Sequence, residues 1–468
     1  MSAVMRGRVL GALGILAAVH ALTHLELLPV PFWVITLTVS MLLIYGGSLY
    51  SLMLSRFASE SDEGEAAMSQ QDAILMPIIA SGVLLVLFYS FDFIPDYAVN
   101  GLLRVYFGVL GTFGVGSMAA WVLEAVGTQA GVVTGAVRLG ELPFGMGSYT
   151  AFDLLGLCVG AAVSAAEAYA KLNGLSVHWI LNNAMGAAFC FEALGKFSLG
   201  RVSTGVVMLV GLLIYDIVMV FGTKGILGRG VMQSVAAKVD GPILLMFPNF
   251  STDPDVPVRF SKLGLGDICF PGAFIAMLLR YDAFRSAVWR HTSVKGTADE
   301  EAQLAKLAKD SPNERVPAGL PGGAATTHKF SSPYFIASAV AYLAGLAVTL
   351  VVMLVFKHPQ PALLYLSPAC ALAPLVTAFA LGDFKQMWGY TEEAEEDAAK
   401  DKAAAQKKEE AVEPAPVAVA DGGSKPATFA EVAATEPPVE QAAPEPERLE
   451  AEAPVSGGGP RRRKRRAD

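Results

Sequence analysis

Leu209-Val-Gly-Leu-Leu-Ile-Tyr-Asp-Ile-Val-Met-Val-Phe221 and Leu263-Gly-Leu-Gly-Asp-Ile-Cys-Phe270 each hold one aspartate, Asp216 and Asp267, inside an otherwise apolar or small-residue run. Extended back to Val202, the first run has about the 20 residues that crossing a bilayer requires. An ionisable group at mid-bilayer costs about 2.5–3.5 kcal/mol on insertion scales, so such a residue counts as a functional candidate by default. Two of them in consecutive spans point to a shared task. The chain therefore reads as all-α and polytopic, with its polar work done inside the membrane.

The rest of the sequence agrees. Hydrophobic residues make up 53% of the 468 and charged residues 17%, with a mean hydropathy of +0.47; a soluble chain carries about 25% charge. Charge crowds into Ser55–Asp72, Tyr281–Lys329 and the stretch beyond Tyr390, so the net −8 describes loops and tail rather than a charged partner. Cys158, Cys190, Cys269 and Cys370 all fall in apolar stretches without a CxxC pair, and read as free thiols.

Apolar runs of bilayer length give nine spans: Val34–Leu54, Ala73–Phe91, Val99–Leu123, Phe152–Ala170, Val177–Leu194, Val202–Phe221, Leu263–Leu279, Tyr334–Phe356 and Ala362–Leu381. Residues 1–33 stand apart. Arg6 and Arg8 precede the short run Val9–Val19 and a small-residue site ending at Ala21, a pattern that fits either a signal peptide or an extra apolar segment. Residues 34–390 form the nine-span domain. Residues 391–468, rich in Glu, Ala, Pro and Lys, read as a disordered tail, and His291–Lys329 as a disordered linker.

Placing the residues before Val34 outside the cytosol puts the tail inside it. The basic residues Arg280, Arg285, Arg290 and Lys295 then fall on the cytosolic side, as the positive-inside rule asks, although Lys224, Arg229, Lys238, Arg259 and Lys262 occupy a luminal loop. That loop holds the sequon Asn249-Phe-Ser251. The tail ends in Arg461-Arg-Arg-Lys-Arg-Arg466, which suits anionic headgroups or a sorting receptor and equally a solvated charge run.

Paired carboxyls suit peptide hydrolysis, because one can activate water while the other protonates the carbonyl oxygen. Two such groups about 3 Å apart cannot both ionise and hold one proton between them. The bland alternative gives each acid an interhelical hydrogen bond and no chemistry, the reading kept for Asp153, Glu167 and Glu192. His20 and His24 are spaced i, i+4 but lack a third ligand, and no phosphate loop, Ser/His/Asp set or nucleic-acid signature is present. No metal and no cofactor are expected.

Tyr215-Asp216 in the sixth span, Gly264-Leu-Gly-Asp267 in the seventh and Gln360-Pro-Ala-Leu363 opening the ninth resemble, in this order, the presenilin/signal peptide peptidase family of intramembrane GxGD aspartyl proteases. Met76-Pro-Ile-Ile-Ala-Ser81, Phe221-Gly-Thr223, Phe247-Pro248, Pro271-Gly272 and the run on to Cys370 favour its signal peptide peptidase branch. The resemblance implies a presenilin-like nine-helix bundle in the endoplasmic reticulum membrane, with Asp216 and Asp267 catalytic. It implies that Tyr215, Gly264, Gly266, Gln360, Pro361, Ala362 and Leu363 shape the site. Signal-peptide remnants and type II single-span helices would be the substrates, the lipid bilayer the medium, and a homo-oligomer or quality-control proteins of the same membrane the partners. A presenilin-like protease, a non-proteolytic scaffold and a proton-coupled transporter remain as alternatives, although no matched halves of the transporter kind are visible.

Overall fold

Every one of the nine apolar runs contains a long helix, and a tenth long helix precedes them. The computed structural model describes residues 2–25, 30–57, 68–130, 138–141, 148–239, 241–249, 259–294, 331–356 and 361–392. Gln360, the linker past Val294 and the tail past Glu392 lie outside the described residues, so the expectations placed on them are not addressed. The described part belongs to one unit, Met1–Val412.

The N-terminal half runs α1 (Ser2–His24), α2 (Phe32–Phe57), α3 (Gln70–Phe93), α4 (Asp96–Gln129), β1 (Arg138–Glu141), β2 (Ser148–Thr150), α5 (Ala151–Leu172) and α6 (His178–Lys196). The second half runs α7 (Val202–Ile217), a π-helical turn (Val218–Gly222), α8 (Thr223–Leu227), α9 (Val231–Lys238), β3 (Leu244–Asn249), β4 (Arg259–Gly264) and α10 (Gly266–Val294). It closes with α11 (Pro333–Phe356), α12 (Leu363–Leu381) and α13 (Phe384–Trp388). Within the segment 1–33, Ser2–His24 forms a helix, α1, with Val9 and Leu16 buried where it packs along α2.

Local signals explain the boundaries. Ser69 with Asp72, and Thr150 with Asp153, form capping boxes at the starts of α3 and α5, in which each hydroxyl accepts the backbone N–H three residues on. Asp153 is therefore a cap. Glu167 pairs with Lys171 at 3.7 Å, while Glu192 pairs with Lys196 at 2.8 Å and accepts from Ser117 on α4. Gly382, at φ +72°, ends α12 in the left-handed conformation that a side chain disfavours.

By length and composition, eight helices among the described residues can cross a membrane: α1, α2, α3, α4, α5, the α7–α8 run, α11 and α12. Helices α6 and α10 are not among them, for they carry Asn182, Asn183 and Glu192, and Asp267, Arg280, Asp282 and Arg285. Their place is inside. Every residue from Pro271 to Asp282 is buried, and α10 packs against α2, α6, α7, α11 and α12. Helices α3, α4 and α5 instead show large apolar side chains outward, Ile78, Val86, Leu102 and Phe113 among them, as a lipid-facing layer requires. Within that layer α4 and α5 approach backbone to backbone: a Cβ on Gly156 or Gly160 would lie 2.2 or 2.1 Å from the carbonyl oxygens of Gly116 or Thr112.

The two β-hairpins were not anticipated from the sequence. In the second, β3 and β4 pair antiparallel from Leu244↔Gly264 to Asn249↔Arg259, so the run expected as one span from Leu263 begins as a strand. Gly264 closes that strand, Leu265 turns, and helix starts only at Gly266. The two glycines, poor helix formers, fall at this change of structure.

Candidate active site

Helix α7 delivers Asp216 one residue before its end. It lies close to α10 because Gly205 has no side chain: a Cβ there would sit 2.3 Å from the Phe274 ring. It lies equally close to α3, where a Cβ on Gly211 would meet Pro77 at 2.9 Å, which gives the Met76–Ser81 motif a packing role. Directly after Asp216 the helix loosens to the π turn, and Thr223 holds the far side. Its hydroxyl donates to the Met219 carbonyl (2.7 Å) and accepts the Val231 N–H (3.1 Å) at the start of α9. Single π turns inside α-helices are frequent at functional sites.

Asp267 arrives from the hairpin. Strand β3 is gripped by α6: Asn183 exchanges two hydrogen bonds of 2.8 Å with the Met246 backbone, and Asn182 donates to the Leu244 carbonyl at 2.8 Å. One side-chain amide here replaces a neighbouring strand, which accounts for two asparagines buried in an apolar helix. From β4 the chain turns, with the Leu265 N–H donating to the Ile243 carbonyl at 2.9 Å, and Asp267 stands half-buried in the first turn of α10. A Cβ on Gly264 would lie 3.2 Å from Asp267 Oδ2, so the glycine keeps space beside the carboxylate.

The third element is the start of α12. Pro361 is buried, Ala362 is the cap residue, and the Leu363 N–H donates to Asp216 Oδ2 at 3.0 Å. Asp216 is 1% exposed, and its other oxygen, Oδ1, is buried without a hydrogen-bond partner in the protein. The carboxyls of Asp216 and Asp267 lie within electrostatic reach of each other and of half-buried Tyr215. One Asp216 oxygen is thus anchored by a backbone donor, and the second has no hydrogen-bond partner in the protein.

Of the residues singled out in the sequence, Tyr215, Asp216, Gly264, Asp267, Pro361, Ala362 and Leu363 come together here. Gly266 begins α10, with a Cβ position 3.3 Å from the Phe270 ring. Leu363 acts through its backbone, a role its side-chain type does not advertise. The Asn182-Asn183 pair was overlooked, although two adjacent amides in an apolar span are a visible signal. His20 is part of the scaffold: its Nδ1 lies 2.8 Å from the Leu16 carbonyl, its Nε2 faces Asn183 Nδ2 at 3.1 Å, and its ring stacks on Trp179. Among the described residues no three His, Cys, Asp or Glu gather as a metal site would need.

The family model described as "Signal peptide peptidase" matches residues 60–394. A mouse protein named "Signal peptide peptidase" is 34% identical over 389 residues, 81% of this chain and 86% of that one. Its human namesake is 33% identical over 375 residues, 78% and 84% of the two chains. "Intramembrane protease 2" of Caenorhabditis elegans is 37% identical over 220 residues, 47% of this chain and 39% of its own. With both aspartate motifs and the Pro-Ala-Leu segment inside the matched region, the chain belongs to the signal peptide peptidase family.

Proposed function

We propose that the chain is an intramembrane aspartyl endopeptidase that cleaves signal-peptide remnants and type II single-span helices within the endoplasmic reticulum membrane. Membership of a family whose curated proteins are named signal peptide peptidases and intramembrane proteases supports the class of reaction. The observation that supports the residue assignment is the Leu363 N–H bond to Asp216 Oδ2, with Asp216 Oδ1 left without a partner in the protein. In this reading one carboxylate takes a proton from water, the other protonates the scissile carbonyl oxygen, and a gem-diol forms. Proton return to the departing nitrogen then breaks the C–N bond, with no covalent enzyme intermediate.

A helical substrate hides its carbonyls and must unwind before attack. An unwound segment needs backbone partners, and β4, which pairs with β3 and leads straight to Asp267, offers groups at the right place. The test is cleavage of a labelled signal peptide by the purified full chain, with and without a transition-state inhibitor of aspartyl proteases. Asp216→Asn and Asp267→Asn should insert and fold yet fail to cleave. Turnover near wild type in either variant ends the assignment.

A further inference from the structure

Beyond Tyr390, where the sequence reads as tail, Thr391 and Glu392 are tied into the bundle. Thr391 forms an isolated antiparallel bridge with Arg201, and the Glu392 N–H donates to the Gly200 carbonyl at 2.8 Å. The Glu392 carboxylate accepts from Ser198 Oγ at 2.6 Å and from Arg280 Nε and a terminal guanidinium nitrogen at 2.7 and 3.3 Å. Arg280, 8% exposed, also donates to Ser51 on α2. One residue thereby joins the entry to α7 and the body of α10.

The spacing gives this junction its meaning. From Val202 to Asp216, α7 rises about 21 Å, and from Asp267 to Arg280, α10 rises about 20 Å. Glu392 binds the segment that enters α7, at Ser198 and Gly200, and binds α10 at Arg280, while Asp216 and Asp267 lie at the other ends of the two arms. Equal arms tied at the far end bring the two aspartates level. Sliding either helix by one residue, about 1.5 Å, would separate the carboxyls and break the Glu392 bonds together.

We infer that Glu392, through Arg280, Ser198 and Gly200, is a positioning residue that sets the longitudinal register of the two aspartate helices; its catalytic consequence rests on the proposed protease reading. A buried Arg paired with a carboxylate could contribute folding stability alone, so the test separates register from folding. In the full chain, Glu392→Ala should lower kcat per folded molecule by about 100-fold, the scale of a 1 Å misplacement, with KM little changed. Glu392→Gln, of the same length, should recover part of the loss. Unchanged kcat in folded Glu392→Ala overturns the inference, as does a loss that follows only the amount of folded protein.

A readout without catalysis runs beside it, on membrane-inserted protein whose four native cysteines are replaced by alanine. Asp216→Cys with Asp267→Cys should crosslink under oxidation, and adding Glu392→Ala should reduce the yield. An undiminished yield overturns the inference. A wild-type chain that never cleaves, together with a reduced yield in Glu392→Ala, retires the protease reading and leaves the alignment role standing.

Discussion

Helix α10 has carboxylates at both ends of its buried stretch, and the two ends treat them differently. At the far end they are saturated with donors. Asp282 accepts the Tyr334 and Phe335 N–H groups at 3.4 and 2.8 Å, Asp383 accepts from Arg285 and the Tyr334 hydroxyl, and Glu392 is held by Ser198 and Arg280. At the near end Asp216 receives one backbone donor and keeps one oxygen without any. Buried charge without partners is expensive, and within the protein three of these carboxylates are fully served while Asp216 is half-served. Satisfied acids hold this bundle, and on the proposed protease reading the half-served Asp216 is the one placed for chemistry.

The same substitution at both ends is the sharpest way to break that contrast. Asp267→Asn should lower signal-peptide cleavage by about 10⁴-fold while the melting temperature in detergent stays level, since an amide is easier to bury than a carboxylate. A matching fall in folded protein would place Asp267 among the structural acids. Next in size, Gly264→Ala puts a methyl group 3.2 Å from Asp267 Oδ2, and cleavage should fall by about 10- to 100-fold with yield unaltered. Equal rates would show that the space beside the carboxylate is not used.

Asp282→Asn should do the reverse. It turns one acceptor of the two α11 N–H groups into a donor, so denaturation should register a loss of about 2 kcal/mol with cleavage per folded molecule intact. A specific loss of activity would blur the division between the two ends. Smallest, Thr223→Val strips the hydroxyl that bridges the π turn and α9, with an expected cost of about 1 kcal/mol. No change in stability would mean that the π turn persists without this support.

Much of this architecture is legible because apolar runs of bilayer length leave little choice but helix. The two aspartates stood out by their chemistry, since an apolar run rarely carries an acid, whereas Pro361-Ala362-Leu363 stood out only through the family resemblance. Less visible were features that depend on partners distant in sequence. The strand Arg259–Gly264 is specified by pairing with β3, which asparagines on α6, 62 and 63 residues away in sequence, hold in place. Glu392 looks like one acid among many in a Glu-rich stretch, and only Arg280, 112 residues earlier, distinguishes it. The Leu363 N–H is invisible in principle, since every residue but proline has one.

The burial of α10 also bears on the order of events during synthesis. A helix carrying Arg280, Asp282 and Arg285 is a poor independent passenger for the insertion machinery, and its shelter comes from both directions in the chain: α2, α6 and α7 precede it, α11 and α12 follow. A growing chain that has produced both aspartates still lacks the Leu363 donor, and one that has reached Leu363 still lacks Glu392. If Glu392 sets the register as inferred, the site is completed only at the last described residues rather than when its acids enter the membrane. On the proposed protease reading, an enzyme built in this order would reach full activity only after its own bundle had been translated.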